Sequence, residues 1–205
     1  LAFQLKCVSC GQCLVNCPFG AIADKSQIFQ VIMAINAGDE VIAEVAPAFV
    51  GQFGGKGNVD KLREAFKQLG FSGMEEVALG ADLCTIQESE DFLEEVPDKI
   101  PFMGTSCCPA WSVMAKKEFP KNADCISMAL TPMTLTARLI RKQHPNAKIV
   151  FVGPCSAKKL EAMRESVRSE VDFVLTFEEM AGMMSAKEID YTKLAGEGGD
   201  FDVAS

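Results

Sequence analysis

Thiols carry the chemistry this chain could perform, and they cluster in three short stretches. Cys7, Cys10, Cys13 and Cys17, followed by Pro18, spell C-x2-C-x2-C-x3-C-P in CVSCGQCLVNCP. That spacing is the bacterial run for a 4Fe-4S cluster, in which thiolates wrap a loop around a cubane. In two-cluster ferredoxins the fourth cysteine serves the other cluster, so either Cys17 closes this cluster in a variant geometry or, as a truncated chain implies, the fourth ligand of Cys7, Cys10 and Cys13 lies upstream. Gly11 permits the tight backbone such a loop needs, and Pro18 turns the chain away from it. Cys107 and Cys108 sit side by side in TSCCPAW, ahead of Pro109 and the only tryptophan, Trp111. A disulfide between adjacent cysteines needs a strained peptide and falls short of the usual Cα separation. Two uses remain: one cysteine binds a metal, or both fill a core. The third stretch, GPCSAKKLEA, places Cys155 three residues before Lys158.

The elements that must hold these loops follow from hydrophobic periodicity. Ile28 to Ala37 reads as a helix, and EVIAEVAPAFV as a buried strand ending at Pro47. Residues 59–69 predict an amphipathic helix with Val59, Leu62, Phe66 and Leu69 on one face, Asn58 as its cap and Gly70 as its stop. A strand near MEEVAL, an acidic helix from about Cys84 to Glu95 and a strand entering PFMGTSCC follow. Further helices are expected from Pro109 to about Glu118, in TPMTLTARLIRKQH, in SAKKLEAMRESVR and in EEMAGMMSAKEI, with strands in AKIVFVGPC and VDFVLTF. Strands alternating with helices of this length indicate an α/β fold with a parallel sheet, whose functional loops lie at the carboxyl ends of the strands. TSCC and GPC both fall at such ends. The cysteine-rich loop gives way to this pattern between residues 24 and 40, so residues 1–30 and 31–205 are expected to form two partial domains.

Composition narrows the function classes. With 205 residues, 48% of them hydrophobic, the chain can bury a substantial core. A formal charge of -8 supplies no basic stripe for counterion release, so nucleic acid is not an expected partner. No stretch approaches the roughly 18 apolar residues of a membrane span, and LAFQLKC lacks a signal peptide's basic start and apolar run. An odd count of nine cysteines in tight local clusters reads as metal ligation in a reducing, cytoplasmic compartment. The absent initiator Met and the Gly-rich tail LAGEGGDFDVAS suggest a fragment cut at both ends.

Other features carry no chemistry. GQFGGKGN lacks the Ser or Thr a phosphate loop needs after Lys56 and reads as a flexible turn. His144, the only histidine, precedes Pro145 at a helix end and is expected to face solvent, which removes any histidine-based triad. Met180, Met183 and Met184 share helical spacing and are expected in the core. Glu88, Glu90, Asp91, Glu94 and Glu95 read as a solvated helix face, and Cys84 and Cys125 as buried apolar thiols.

Taken together, TSCCPAW and GPCSAKKLEA downstream of the ferredoxin run resemble the iron-only, or FeFe, hydrogenase family. APAFVGQFG, LGFSGMEEVALGADL and VDFVLTFEEMA extend the resemblance, in the family's order, over essentially the whole chain. It implies a ferredoxin-like 4Fe-4S segment followed by the N-terminal part of an H-cluster domain. The H-cluster is a 4Fe-4S cubane bridged through a cysteine to a two-iron subsite carrying CO, cyanide and a dithiolate amine. By the same resemblance Cys108 and Cys155 are two of the four cubane ligands, and Cys107 is the terminal proton carrier. Lys158 matches the lysine whose ammonium pairs with a cyanide. On the residues alone it would read as an ordinary surface lysine, although an anion in a dry pocket does need a paired cation. Ala46, Pro47 and Pro154 match stretches lining the di-iron pocket, and Ser127 a serine on the proton route.

Several positions depart from the family. Gly153 replaces the methionine of a common M-P-C, Ala48 a frequent polar residue, and Met133 a frequent glutamine. Ser89 and Phe92 fall near positions many members fill with glutamates of the proton route. The implied activity is reversible oxidation of H2 to protons and electrons, with a low-potential ferredoxin as carrier and maturation proteins as suppliers of the di-iron subsite. The rival is a non-catalytic hydrogenase-like iron-sulfur protein for sensing or cluster assembly.

Overall fold

A computed structural model describes residues 7–53, 59–165 and 167–196. The helices are α1 (Gln12–Val15), α2 (Ile28–Ala37), α3 (Val59–Leu69), α4 (Val77–Glu95), α5 (Pro109–Glu118), α6 (Pro132–Gln143), α7 (Ala157–Ala162) and α8 (Phe177–Ala186). The strands are β1 (Val41–Val45), β2 (Gly73–Glu76), β3 (Lys148–Gly153) and β4 (Phe173–Thr176). They form one sheet in the order β2-β1-β3-β4, and every neighbouring pair is parallel. This is the α/β architecture that the alternation of elements predicts. No helix among the described residues is long and apolar enough to cross a membrane.

Both faces of β1 are covered, which explains its near-continuous apolar run. Val41, Ala43 and Val45 join the larger core with Leu62 and Phe66 of α3 and Met180, Met183 and Met184 of α8. Ile42, on the opposite face, packs with Ile149 of β3 and Ala137 and Ile140 of α6. The amphipathic face of α3 is buried as its periodicity requires, and each such side chain contributes about 1.5–3 kcal/mol relative to exposure. Gly70 ends α3 at φ +105°, and a Cβ there would stand 2.7 Å from Ile35 Cγ2, so the stop also makes room for α2.

Several boundaries differ from expectation. The strand near MEEVAL stops at Glu76, and α4 begins at Val77 rather than near Cys84, because Val77 and Gly80 already face the interior. No strand enters TSCC among the described residues; one isolated bridge joins Gly104 to Ile126. α7 ends at Ala162, well short of the helix expected to Arg168. Arg168 has φ +47°, and Arg138 of α6 donates to the Val167 and Arg168 carbonyls, so tertiary bonds replace helical ones. The Asn58 cap, most of the turn after Phe53 and the end of the tail lie outside the described residues.

Candidate functional site

The sheet order reverses direction between β1 and β3, and open parallel sheets bind ligands in the crevice beyond the carboxyl ends of such strands. β1 runs out into Ala46 and Pro47, and β3 into Pro154 and Cys155. The Ala46 N–H donates to the Val152 carbonyl at 2.9 Å, so the two strand ends leave the sheet together.

The TSCC loop forms the third wall. Gly104 N–H donates to the Cys125 carbonyl, and Ser127 N–H to the Gly104 carbonyl, both at 2.8 Å. The Trp111 indole N–H donates to the Thr105 carbonyl at 3.1 Å, which braces the loop and accounts for the lone tryptophan. Cys108 is the N-cap of α5, with Pro109 in its first turn, and its sulfur accepts the Trp111 amide N–H at 3.4 Å. A helix start aims its free N–H groups at that sulfur, an arrangement suited to an anionic ligand atom. Cys107 and Cys108 are exposed, and Cys155 is half-buried.

Lys158 ties the two cysteine loops together. Its backbone N–H donates to the Cys155 carbonyl at 3.3 Å, and its ammonium donates to the Cys107 carbonyl at 2.9 Å. The ammonium also pairs with Glu161 Oε2 at 2.7 Å and stands 6.0 Å from the Phe151 ring centroid. The Thr131 hydroxyl donates to the other Glu161 oxygen. Lys158 and Glu161 side chains are only 13% and 3% exposed, so this is a largely dry ion pair and not the surface lysine its sequence context alone suggested.

Ser127 is buried, and its hydroxyl accepts the Ala129 N–H at 3.1 Å. It lines two adjoining grooves. One, of about 480 Å3, is walled by Gln87, Asp91 and Glu95 of α4. The other, of about 340 Å3, is bordered by Ser106, Thr131 and Glu161. The α4 residues facing the groove are therefore Gln87, Asp91 and Glu95, at helical spacing of four, while Ser89 and Phe92 are exposed.

Two further buried groups stand near this site; sequence reasoning anticipated the burial of Cys84 and missed that of Glu44. Cys84 is buried but not partnerless: its thiol donates to the Leu130 carbonyl at 2.9 Å. Burial, with smaller pushes from Glu88 and Cys107, raises its pKa to about 11. Glu44 is wholly buried in β1, and neither carboxyl oxygen has a hydrogen-bond partner among the described residues. Burial pushes it well above the usual carboxylate range; Lys158 pulls it back and Glu161 pushes it further. The available signal was one acid inside the apolar run VIAEV.

The N-terminal cysteine loop packs against the same region. Gly11, at φ +79°, brings its backbone so close that an added Cβ would stand 3.6 Å from the Ser156 hydroxyl, next to Cys155. Lys117 of α5 donates to the Cys7 carbonyl at 3.2 Å, and Lys159 of α7 pairs with Asp24 at 2.6 Å. Cys7, Cys10 and Cys13 are exposed and Cys17 half-buried. The Ala21 N–H donates to the Cys17 sulfur at 3.4 Å, and this and other loop amides lower the thiol pKa. Sulfurs that accept backbone amides in this way suit a thiolate-bound cluster. Among the described residues no three His, Cys, Asp or Glu meet as around a single ion, whereas a cubane spreads its thiolates over separate corners. The soft thiol donors present therefore fit iron-sulfur clusters.

Comparison with known proteins finds two family matches in the chain. The family described as "Iron only hydrogenase large subunit, C-terminal domain" matches residues 39–204, and "4Fe-4S binding domain" matches residues 4–23. The NADP-reducing hydrogenase subunit HndD of Solidesulfovibrio fructosivorans is 31% identical over 96% of this chain and 38% of its own length. Iron hydrogenase 1 of Clostridium pasteurianum is 32% identical over 86% of this chain and 34% of its own. The cytosolic Fe-S cluster assembly factor NAR1 of Debaryomyces hansenii is 32% identical over 61% and 26%. The solved FeFe-hydrogenase structure HydA(deltaEFG) superposes with a TM-score of 0.70 at 26% identity, covering 87% of this chain and 51% of that one. The chain thus spans less than half the length of the curated relatives it matches.

Proposed function

Because the chain belongs to the iron-only hydrogenase large-subunit family, we propose that it contributes to a site for reversible oxidation of H2 to protons and electrons. The observation that carries this reading is Lys158: a charged ammonium held in a dry crevice, bonded to the Cys107 carbonyl and backed by Glu161. Neither Lys158 nor Cys107 is needed to hold a cubane, so their joint placement beside Cys108 and Cys155 favours catalysis over storage.

The H-cluster, when bound, would supply heterolysis of H2 and acceptance of its electrons. Cys108 and Cys155 would hold its cubane, with Ala46, Pro47 and Pro154 shaping the crevice around the di-iron subsite. Lys158 offers its ammonium to an anionic cyanide from a position fixed by Glu161. Cys107, whose thiol is not claimed as a ligand, takes and returns the proton. Ser127 lies between the TSCC loop and the acidic groove of α4, a placement that supports a proton route through Asp91 or Glu95 to solvent. Cys7, Cys10 and Cys13 would bind a 4Fe-4S cluster in a partial domain of residues 1–30, with Cys17 as a ligand of the same or of a second cluster, beside the H-cluster domain of residues 31–205. The packing of Gly11 on Ser156 supports electron passage between the two, toward a ferredoxin in the cytoplasm.

A second reading, cluster assembly or redox sensing without turnover, is favoured by the likeness to NAR1 and by the departures from the family's residues at Ala48, Met133 and Gly153. Hydrogen evolution from reduced viologen by the full-length, anaerobically matured protein decides between them. Activity that collapses in Cys107→Ala supports the hydrogenase. CO and cyanide infrared bands without activity would support sensing, and absence of those bands would support the non-catalytic iron-sulfur reading.

A further inference from the structure

Glu44 is a buried acid near the crevice that the proposed reaction leaves unused. It lies fourth in β1, a central strand paired on both sides, and is 0% exposed. Both of its oxygens lack a hydrogen-bond partner among the described residues. An ionised carboxylate in that state costs many kcal/mol, so the proton stays on and the group is a neutral acid.

Its surroundings give that proton a consequence. Glu44 stands opposite Phe151 in the β1–β3 register, on a neighbouring strand about 4.8 Å away. The Lys158 ammonium stands 6.0 Å from the Phe151 ring centroid. Phe151 therefore neighbours both the buried acid, in the strand register, and the lysine that joins the cysteine loops. Glu161 bonds this ammonium at 2.7 Å, whereas Glu44, with no hydrogen-bond partner among the described residues, feels it only through space. The remaining charged groups around Glu44 are committed elsewhere or turned outward. On β2 its register partner Glu75 is exposed. From α6, which covers this face, Arg138 bonds to loop carbonyls and Arg141 to Asp172. On α4 the buried Cys84 thiol donates to the Leu130 carbonyl.

We propose that Glu44 is a positioning residue for Lys158: as a neutral acid it leaves the ammonium turned toward Glu161 and the Cys107 carbonyl, and once ionised it draws the ammonium toward itself. The proton it loses passes to bulk water. The role rests on the proposed hydrogenase reading only for its catalytic meaning; the coupling of Glu44 to Lys158 belongs to the chain itself. In the matured protein it makes the reach of Lys158 toward an anionic ligand depend on one buried proton.

The test uses the full-length protein before maturation, as wild type and as Glu44→Gln, which is neutral at every pH. Infrared difference spectra between neutral and alkaline buffer are expected to show loss of a carboxylic-acid carbonyl band in the wild type and no such band in the variant. Labelling of Lys158 by an amine reagent, read by mass spectrometry, follows the ammonium. The wild-type to variant rate ratio cancels the ordinary pH dependence of amine chemistry. That ratio is expected to change over the pH range in which the band disappears. A constant ratio, or a wild type with no protonated-acid band, overturns the proposal. Should the variant fail to fold, band loss and a break in Lys158 labelling at one shared pH in the wild type support it, and different pH values overturn it. In matured protein, cyanide bands that shift with pH only in the wild type add support. Complete absence of cyanide bands counts against the hydrogenase reading and leaves the unmatured result standing.

Discussion

Glu161 determines whether Lys158 is a built part of the crevice or a lysine that happens to rest there. Replacing it by leucine removes the 2.7 Å ion pair and leaves an ammonium that is only 13% exposed with the Cys107 carbonyl as its remaining bonded partner. Breaking one side of a buried pair costs about 3–5 kcal/mol, and the residual exposure of Lys158 places the loss near about 3 kcal/mol. The orphaned Thr131 hydroxyl adds about 1 kcal/mol at most, since it can turn to Thr134 Oγ1, 3.2 Å away. Urea denaturation followed by circular dichroism, with a slope of about 2 kcal/mol/M, should show the midpoint falling by about 1.5 M. Removing both partners, as Lys158→Met with Glu161→Leu, should restore most of that loss because no buried charge is left unpaired. A single variant within about 0.5 kcal/mol of wild type, or a double variant no better than the single, would refute the reasoning.

Other expectations follow from the same geometry. Glu44 has a folded-state pKa raised above 4.5, so its stabilising contribution is present below that pH and is lost as pH rises through the folded value. Melting temperatures should show Glu44→Gln gaining on wild type steadily with rising pH; parallel profiles would sink the assignment. Gly80→Ala forces a Cβ to within 2.2 Å of Thr136 Oγ1 and 2.8 Å of the Pro132 carbonyl, a backbone atom that cannot rotate aside. The close approach of α4 and α6 should be pried apart at a cost of about 1–3 kcal/mol in denaturant titration, and an unchanged midpoint would contradict it. At pH 8 about one part in a thousand of a thiol titrating near 11 is thiolate, so Cys84 should alkylate far more slowly than exposed Cys107 in cluster-free protein. Mass spectrometry that finds equal labelling would show that Cys84 is neither buried nor raised.

The local code was enough for the cysteine loop, the alternation of strands and helices, and the amphipathic face of α3, since spacing and periodicity act over a few residues. The spacing of Cys7 to Cys17 points to a 4Fe-4S binding segment, which the family match over residues 4–23 agrees with, and Val59, Leu62, Phe66 and Leu69 declare a buried face. Boundaries were less legible where tertiary bonds outcompeted propensity, as where Arg138 takes the Val167 and Arg168 carbonyls and α7 stops at Ala162. The crevice could be anticipated only as separate motifs at strand ends. That Cys107 and Cys155 share one lysine, that Glu161 holds it and that Thr131 holds Glu161 are facts of packing between residues as many as 51 positions apart. Glu44 marks the limit most sharply: its letter is an ordinary acid, and only the closure of β2, β3 and α6 around it removes the water that would keep it charged.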